Sequence, residues 1–189
     1  MEGQGALLTE RRHSNLVSAV LEGDDAAFDL LVRQYSNQVF RVALRMLGNR
    51  EDAEDVQQET FLRAYRGLRR FRGGASFGTW VYSIAARLCL DRRRQRTRRA
   101  GDNAEDIPVG GSLPEDSPED RLLSLEAAAR VQKALAGMSP PDRLLIVLKF
   151  VEELSHEEIA RILGCSVESS RSRLARAKKL FRERYERIG

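Results

Sequence analysis

Three groups of side chains in this sequence have types and spacings suited to chemistry, and all of it is recognition chemistry. The first lies in the stretch "VESSRSRLARAKK" at 167–179. At 100° per residue, Val167, Ser170, Leu174, Ala177 and Phe181 fall on one side of a helix. Glu168, Ser169, Ser172, Arg176 and Lys179 fall opposite them, with Arg171, Arg173 and Lys178 on the flanks. Arginine can read guanine bidentately, serine can contact bases or backbone, and glutamate can accept from cytosine. Between residues 171 and 187 there are eight bases against two acids. That balance suits a helix seated against nucleic-acid phosphates better than an ordinary solvated face.

The second group joins aromatic and guanidinium planes. Phe71, Phe77, Trp80 and Tyr82 fall within a dozen residues, interleaved with Arg69, Arg70 and Arg72. Such planes stack on unpaired bases, as single-strand binding requires. Phe77 and Trp80 suit a core, whereas Tyr82, Arg87, Arg93 and the loop from Arg72 to Ser76 suit contact. The arginine run at 92–99 offers phosphate attraction, which carries affinity rather than sequence preference. In the third group, Asp52, Asp55 and Glu59 share one helix face in steps of three and four, with Gln58 beside them. Acids near a helix start also favour its dipole.

Catalytic and metal chemistry lack their usual constellations. Cys89 and Cys165 each stand alone, and His13 and His156 are isolated, so neither a disulfide framework nor a metal site is expected. No cofactor motif is present, and the expectation is a non-enzyme. The start "MEGQGALLTE" has no signal-peptide pattern, and no apolar run reaches the length of a membrane span. A cytoplasmic protein without membrane insertion is expected. Hydrophobic residues make up 42% of the chain, enough for packed cores. The net charge of +4 hides an asymmetry. Residues 1–100 hold 18 bases against 12 acids, 101–120 hold seven acids and no base, and 121–189 hold 14 bases against nine acids.

The elements that must position these groups read as helices. All five prolines lie beyond residue 107, so the first hundred residues are compatible with unbroken helix, punctuated by Gly and Asp or Asn. Helices are expected over 14–22, from Asp24 or Asp25 to about Gly48, over about 51–70, and from after the "FRGGASFG" loop into the arginine run. Val56, Phe61, Ala64, Tyr65 and Leu68 are the apolar positions of the third. The segment 101–120, rich in Gly, Pro, Ser and acids, reads as a linker. A second helical unit begins near Arg121. Ser139 before Pro140 reads as an N-cap, Ser155 with Glu158 as a capping box, and Gly164 as a helix stop. Small Ala160 and the turn at Gly164 give helix-turn-helix spacing, with the second helix aimed at a major groove. The fold class expected is all-α, in two small helical domains, 1–100 and 121–189, joined by a flexible acidic linker at 101–120.

"DAEDVQQETFLRAYRGLRRFRGGASFGTWVYSIAARLCLDRRR" and "MSPPDRLLIVLKFVEELSHEEIARILGCSVESSRSRLARAKKLFRE" resemble, in order, the second and fourth regions of extracytoplasmic-function sigma factors of the sigma-70 family. The resemblance runs from about residue 16 to 186. It implies a promoter-recognition subunit of RNA polymerase, with core polymerase and promoter DNA as partners and an anti-sigma factor as regulator. It gives core docking to Asp52, Asp55, Gln58, Glu59 and Phe61. Capture of the opened minus-ten strand falls to Arg72, Ser76, Tyr82, Arg87 and Arg93. Reading of minus-thirty-five duplex falls to Glu168, Ser169, Arg171, Ser172, Arg173, Arg176 and Lys179. The chain departs from the family pattern at Ser170 and Glu168, and a buried Ser170 hydroxyl is expected to bond an upstream carbonyl. The rival reading is a helix-turn-helix transcriptional regulator acting without core polymerase.

Overall fold

A computed structural model describes residues 2–71, 73–100 and 118–188. Among the described residues there are eight α-helices and no strand. These are α1 (Glu2–Leu21), α2 (Asp25–Leu47), α3 (Arg50–Gly67), α4 (Phe77–Ala100), α5 (Pro118–Ala136), α6 (Pro140–Phe150), α7 (His156–Leu163) and α8 (Val167–Ile188). A single 3₁₀ turn, Leu68–Arg70, follows α3. The first helix therefore begins far earlier than the expected residue 14. The acidic segment 101–117 lies outside the described residues, and α5 starts inside the stretch read as linker.

Local chemistry sets the helix ends. Asp24 accepts from the Ala27 amide to start α2, and Gly48, at φ 79°, ends it by donating to the Leu44 carbonyl. Asn49 caps α3 through the Asp52 amide, and Ser139 caps α6 through Asp142, with proline in its first turn. At α7 both halves of the Ser155–Glu158 capping box form, and Gly164 closes the helix at φ 64°. Caps of this kind contribute about 1 kcal/mol each.

In the first unit α1, α2, α3 and α4 pack around Leu31, Val39, Phe61, Ala64, Leu68, Phe77, Val81 and Ala85. Tyr65 departs from the expected apolar face: it is exposed, edge-on to Phe28, and its hydroxyl donates to Asp25 at 2.7 Å. A polar clamp ties α3 to α4 outside this core. The Asp52 carboxylate, 16% exposed, accepts from Asn49 at 2.9 Å, from Arg92 at 2.7 Å and from Arg96. Partial burial pushes its pKa up, but the Asn49 amide and the Arg96 and Arg92 guanidiniums outweigh this and hold it below the usual carboxylate range.

In the second unit α6 is the centre. Arg143 and the five residues Leu144–Leu148 are all buried, leaving the middle of this helix no solvent face. One side packs on α7 and α8 through Ile159, Ile162, Leu174 and Ala177, and α5 adds Leu135. Another side meets the first unit, so Val42, Ala43, Met46 and Leu47 of α2 and Ala86 and Cys89 of α4 share one continuous core with α6. Burial pushes the Cys89 thiol up to about 12. Polar bonds stitch the same boundary. Arg41 grips Glu152 through two nitrogens, at 3.1 and 3.0 Å, and the Tyr82 hydroxyl donates to Glu152 at 2.9 Å. Arg143 donates to the Met46 carbonyl at 2.8 Å, and Gln132 to the Arg45 carbonyl at 3.2 Å.

Two outcomes follow from this packing. A methyl group at Gly78 would stand 2.7 Å from the Tyr35 ring, which is held between His13 and Phe77. Gly78→Ala should therefore destabilise by about 1 kcal/mol, the overpacking cost of about 1–3 kcal/mol exceeding the gain in helix propensity; chemical denaturation would show it. Because the Asp52 pKa is depressed in the folded state, its stabilisation is full above the unfolded value, near about pH 4. It is lost as pH falls through the folded value. Asp52→Asn should cost about 1.5–3 kcal/mol at neutral pH and show a flatter stability profile in acid, checked by urea titrations at pH 7 and pH 3.

Candidate nucleic-acid interface

The helix-turn-helix is α7 and α8. The hydroxyl of Ser166 accepts from the Ser169 amide at 3.1 Å and so opens α8. Leu174 and Ala177 are buried, fixing which way the helix faces. On the opposite side Glu168, Arg171, Ser172, Arg176 and Lys179 are exposed, and Ser169 and Arg173 are half-buried. Arg171 leans on Glu157 of α7 at 3.7 Å, an exposed pair that competes weakly with a phosphate. Arg173, Arg176 and Lys179 have no ion pair among the described residues. Ser170 is fully buried as its position required, but its hydroxyl finds no partner there, unlike the expected bond to an upstream carbonyl.

At the other candidate surface, Ser76 caps α4, accepting from the Thr79 amide at 3.1 Å. It lines an open cleft of about 570 Å³ between α1 and the loop at 73–76, together with His13, Phe71, Phe77 and Arg161. Arg72 lies outside the described residues. Phe77 is buried, and Trp80 is half-buried with Phe71 at 5.0 Å and Phe77 at 5.8 Å, so these aromatics form core. Arg87 is exposed and Arg93 half-buried. Tyr82 is only 6% exposed, because it packs in the core shared by α2, α4 and α6, and its hydroxyl is taken by Glu152. Within the arginine run, Arg92 and Arg96 bond Asp52, Arg92 also bonds Asp55, and Arg94 bonds Asp91. Those charges are partly spent inside the chain.

The acidic face of α3 divides in two. Asp55 and Gln58 are exposed, Glu59 is half-buried and paired with Arg63 at 2.6 Å, and Asp52 is occupied by the clamp to α4. Phe61 is 7% exposed and belongs to the core. Asp55, Gln58 and Glu59 border a cleft of about 740 Å³ between α3 and α4, whose far wall holds Leu88, Asp91 and Gln95. Of its two leucines, Leu88 is buried and Leu62 is 43% exposed. Leu62 was missed in the sequence, although it stands one turn past Gln58 on the same face. Arg161 was missed too, since only the packing of the two units brings it to the loop at 73–76.

Among the described residues no group of His, Cys, Asp and Glu could hold a metal ion, and no helix is long and apolar enough to cross a membrane.

Comparisons with known proteins agree with this geometry. Residues 31–99 match the family model for Sigma-70 region 2, and 128–181 match that for Sigma-70, region 4. The RNA polymerase sigma-H factor of Pseudomonas aeruginosa is 36% identical over 180 residues, covering 92% of this chain and 93% of that protein. The ECF RNA polymerase sigma-E factor of Haemophilus influenzae is 35% identical, covering 90% and 94%. The ECF RNA polymerase sigma factor SigW of Bacillus subtilis is 34% identical, covering 88% and 93%. In fold, the chain is similar to CnrH, solved in complex with the cytosolic domain of CnrY, at a TM-score of 0.70 and 24% identity over 94% of this chain and 99% of that one. It is also similar to the sigma factor RpoE of Bartonella quintana, solved with the anti-sigma factor NepR, at a TM-score of 0.66 and 22% identity over 84% and 96%. A helix-turn-helix, an exposed acidic face on α3 and 34–36% identity over about nine-tenths of the sequence converge, and the chain belongs to the ECF sigma factors of RNA polymerase.

Proposed function

We propose that the chain divides promoter recognition between its two helical units and joins them to core RNA polymerase through the α3–α4 cleft. The observation that carries this is the exposed basic face of α8, behind a capped α7 and a glycine-closed turn. In this reading Arg176, Ser172, Lys179 and Glu168 meet base edges of minus-thirty-five duplex, with Ser169, Arg171 and Arg173 toward the backbone. Arg87, Arg93, Ser76 and Arg72 serve the opened minus-ten strand, joined by Tyr82. Asp55, Gln58 and Glu59 dock on core polymerase, with Leu62 as an apolar anchor, while Asp52 and Phe61 support that face from behind. Residues 1–100 and 121–189 act as the two units and 101–120 as their connection. The protein works in the cytoplasm without catalytic chemistry of its own. Its regulator is an anti-sigma factor, as in the NepR complex of the Bartonella quintana protein.

The direct test is transcription in a purified system: core enzyme plus this protein should give discrete starts on genomic fragments, and core alone should not. Charge reversal at Asp55 together with Glu59 should weaken core binding about tenfold or more, equivalent to about 1.4 kcal/mol. Folding should survive, because both carboxylates are at least 38% exposed and their ion pairs contribute little. Co-purification and circular dichroism measure the two effects. Arg176→Ala should cost about 1–3 kcal/mol of discrimination on upstream duplex. Arg87→Ala should weaken binding on every sequence and lower the salt slope by about one. Equal defects in both variants across all sequences would contradict this division of labour.

A further inference from the structure

We propose that His13 of α1 and Tyr35 of α2 are positioning residues for strand capture, and that the hydrogen bond between them seats the glycine loop at 73–76. The loop has little support along its own length. Clefts of about 570 and 260 Å³ border it, and a methyl group added at Gly73 or Gly74 would meet nothing within 4 Å. Gly73 also takes a left-handed φ of 69°. A segment with so few neighbours takes its position from whatever holds its two ends, here Phe71 and Phe77.

Aromatic contacts join those ends, and α1 and α2 supply the outer members. Phe71 and Phe77 meet edge-on at 6.1 Å, and Trp80 lies against them at 5.0 and 5.8 Å. Phe77 is 2% exposed and opens α4. The Tyr35 ring stands 5.6 Å from that of Phe77 and fills the space that Gly78, the next residue, leaves without a side chain. Its hydroxyl and His13 Nδ1 lie 3.1 Å apart and share a hydrogen bond, the donor being set by the imidazole tautomer. The two rings lie 5.3 Å apart, so Tyr35 is fixed both at its hydroxyl and along its ring.

Packing alone does not account for a histidine in this place. His13 is 3% exposed, and its Nε2 finds no hydrogen-bond partner among the described residues. An apolar side chain would fill the site without stranding a polar atom out of water. What histidine adds is the bond to Tyr35. A loop that is already placed need not be ordered when the strand arrives, so binding loses less conformational entropy. Without the bond Tyr35 is free to turn away from Phe77, and only part of the population keeps the loop in place. Strand affinity then falls by that fraction. Core docking on α3 and duplex reading by α8 use other residues.

The inference rests on assigning the loop and α4 to the opened strand, and the experiment separates the two. Full-length His13→Ala, Tyr35→Phe, their combination and His13→Asn would be compared with the unaltered chain. Asparagine carries a donor and an acceptor close to where Nδ1 lies, so it keeps the bond in either tautomer. Trp80, the chain's one tryptophan, reports on the anchors through acrylamide quenching of its fluorescence. Strand binding, with core polymerase present, would be followed by anisotropy of a fluorescein-labelled oligonucleotide carrying the non-template sequence upstream of a mapped start. His13→Ala and Tyr35→Phe should each raise the quenching and weaken strand binding roughly three- to tenfold, as the loss of one hydrogen bond implies. The combination should be no worse than either alone, and His13→Asn should stay within about twofold of the unaltered chain. Affinities for core and for upstream duplex should not change. Unchanged quenching in both single variants, additive losses in the combination, or a His13→Asn loss equal to that of His13→Ala overturns the pair. Raised quenching with unaltered strand affinity, where Arg87→Ala does weaken it, overturns the positioning role. If Arg87→Ala also leaves strand affinity unaltered, the strand assignment fails and the seating of the loop stands.

Discussion

A helix that buries six successive residues, as α6 does from Arg143 to Leu148, has no face to give to water along that stretch. It must be covered on every side. The second unit alone supplies α5, α7 and α8, and the remaining side is closed by α2 and α4 of the first. The rest of the arrangement depends on this constraint. It explains why Arg143, inside an apolar helix, points its guanidinium at a carbonyl of the other unit. It also explains why the turn after α6 brings a carboxylate to that boundary rather than to solvent.

Electrostatics is organised within the chain before any partner arrives. Asp52 holds Arg92 and Arg96, Asp55 holds Arg92, and Asp91 holds Arg94. The arginine run on α4 is therefore less a free cationic tail than one wall of a charged seam between α3 and α4. The basic face of α8 is different. Arg176 and Lys179 are exposed without an ion pair among the described residues. The same residue types therefore do different work in the two units.

Much of this was legible in the residues alone, wherever the causes are local. Asp24, Ser139 and Ser155 with Glu158 each start a helix, and Gly164 ends one, through contacts three or four residues away, and each behaves as its type requires. The inward face of α8 followed from period alone, because Leu174 and Ala177 have no other place to go. What could not be read depends on long separations. The Arg41–Glu152 bond spans 111 positions, Tyr82–Glu152 spans 70 and Arg92–Asp52 spans 40. No periodicity encodes such pairs, so the residues alone could not show that Asp52 is clamped to α4 or that the Tyr82 hydroxyl is held by Glu152. Tyr65 was misread for a related reason: helical spacing marks an apolar stripe but not where its edge meets solvent.

Ser170 carries a different lesson. Its hydroxyl is fully buried in the recognition helix, without a hydrogen-bond partner among the described residues. Such a group costs about 1–3 kcal/mol of lost hydration. It faces the interior, away from the exposed basic side of α8, so this cost is separable from what that side does. The recognition helix thus keeps unused thermodynamic headroom. A small apolar residue at this single inward position would raise the tolerance of the outward face to substitution, leaving more room for drift in the bases it prefers before the domain unfolds.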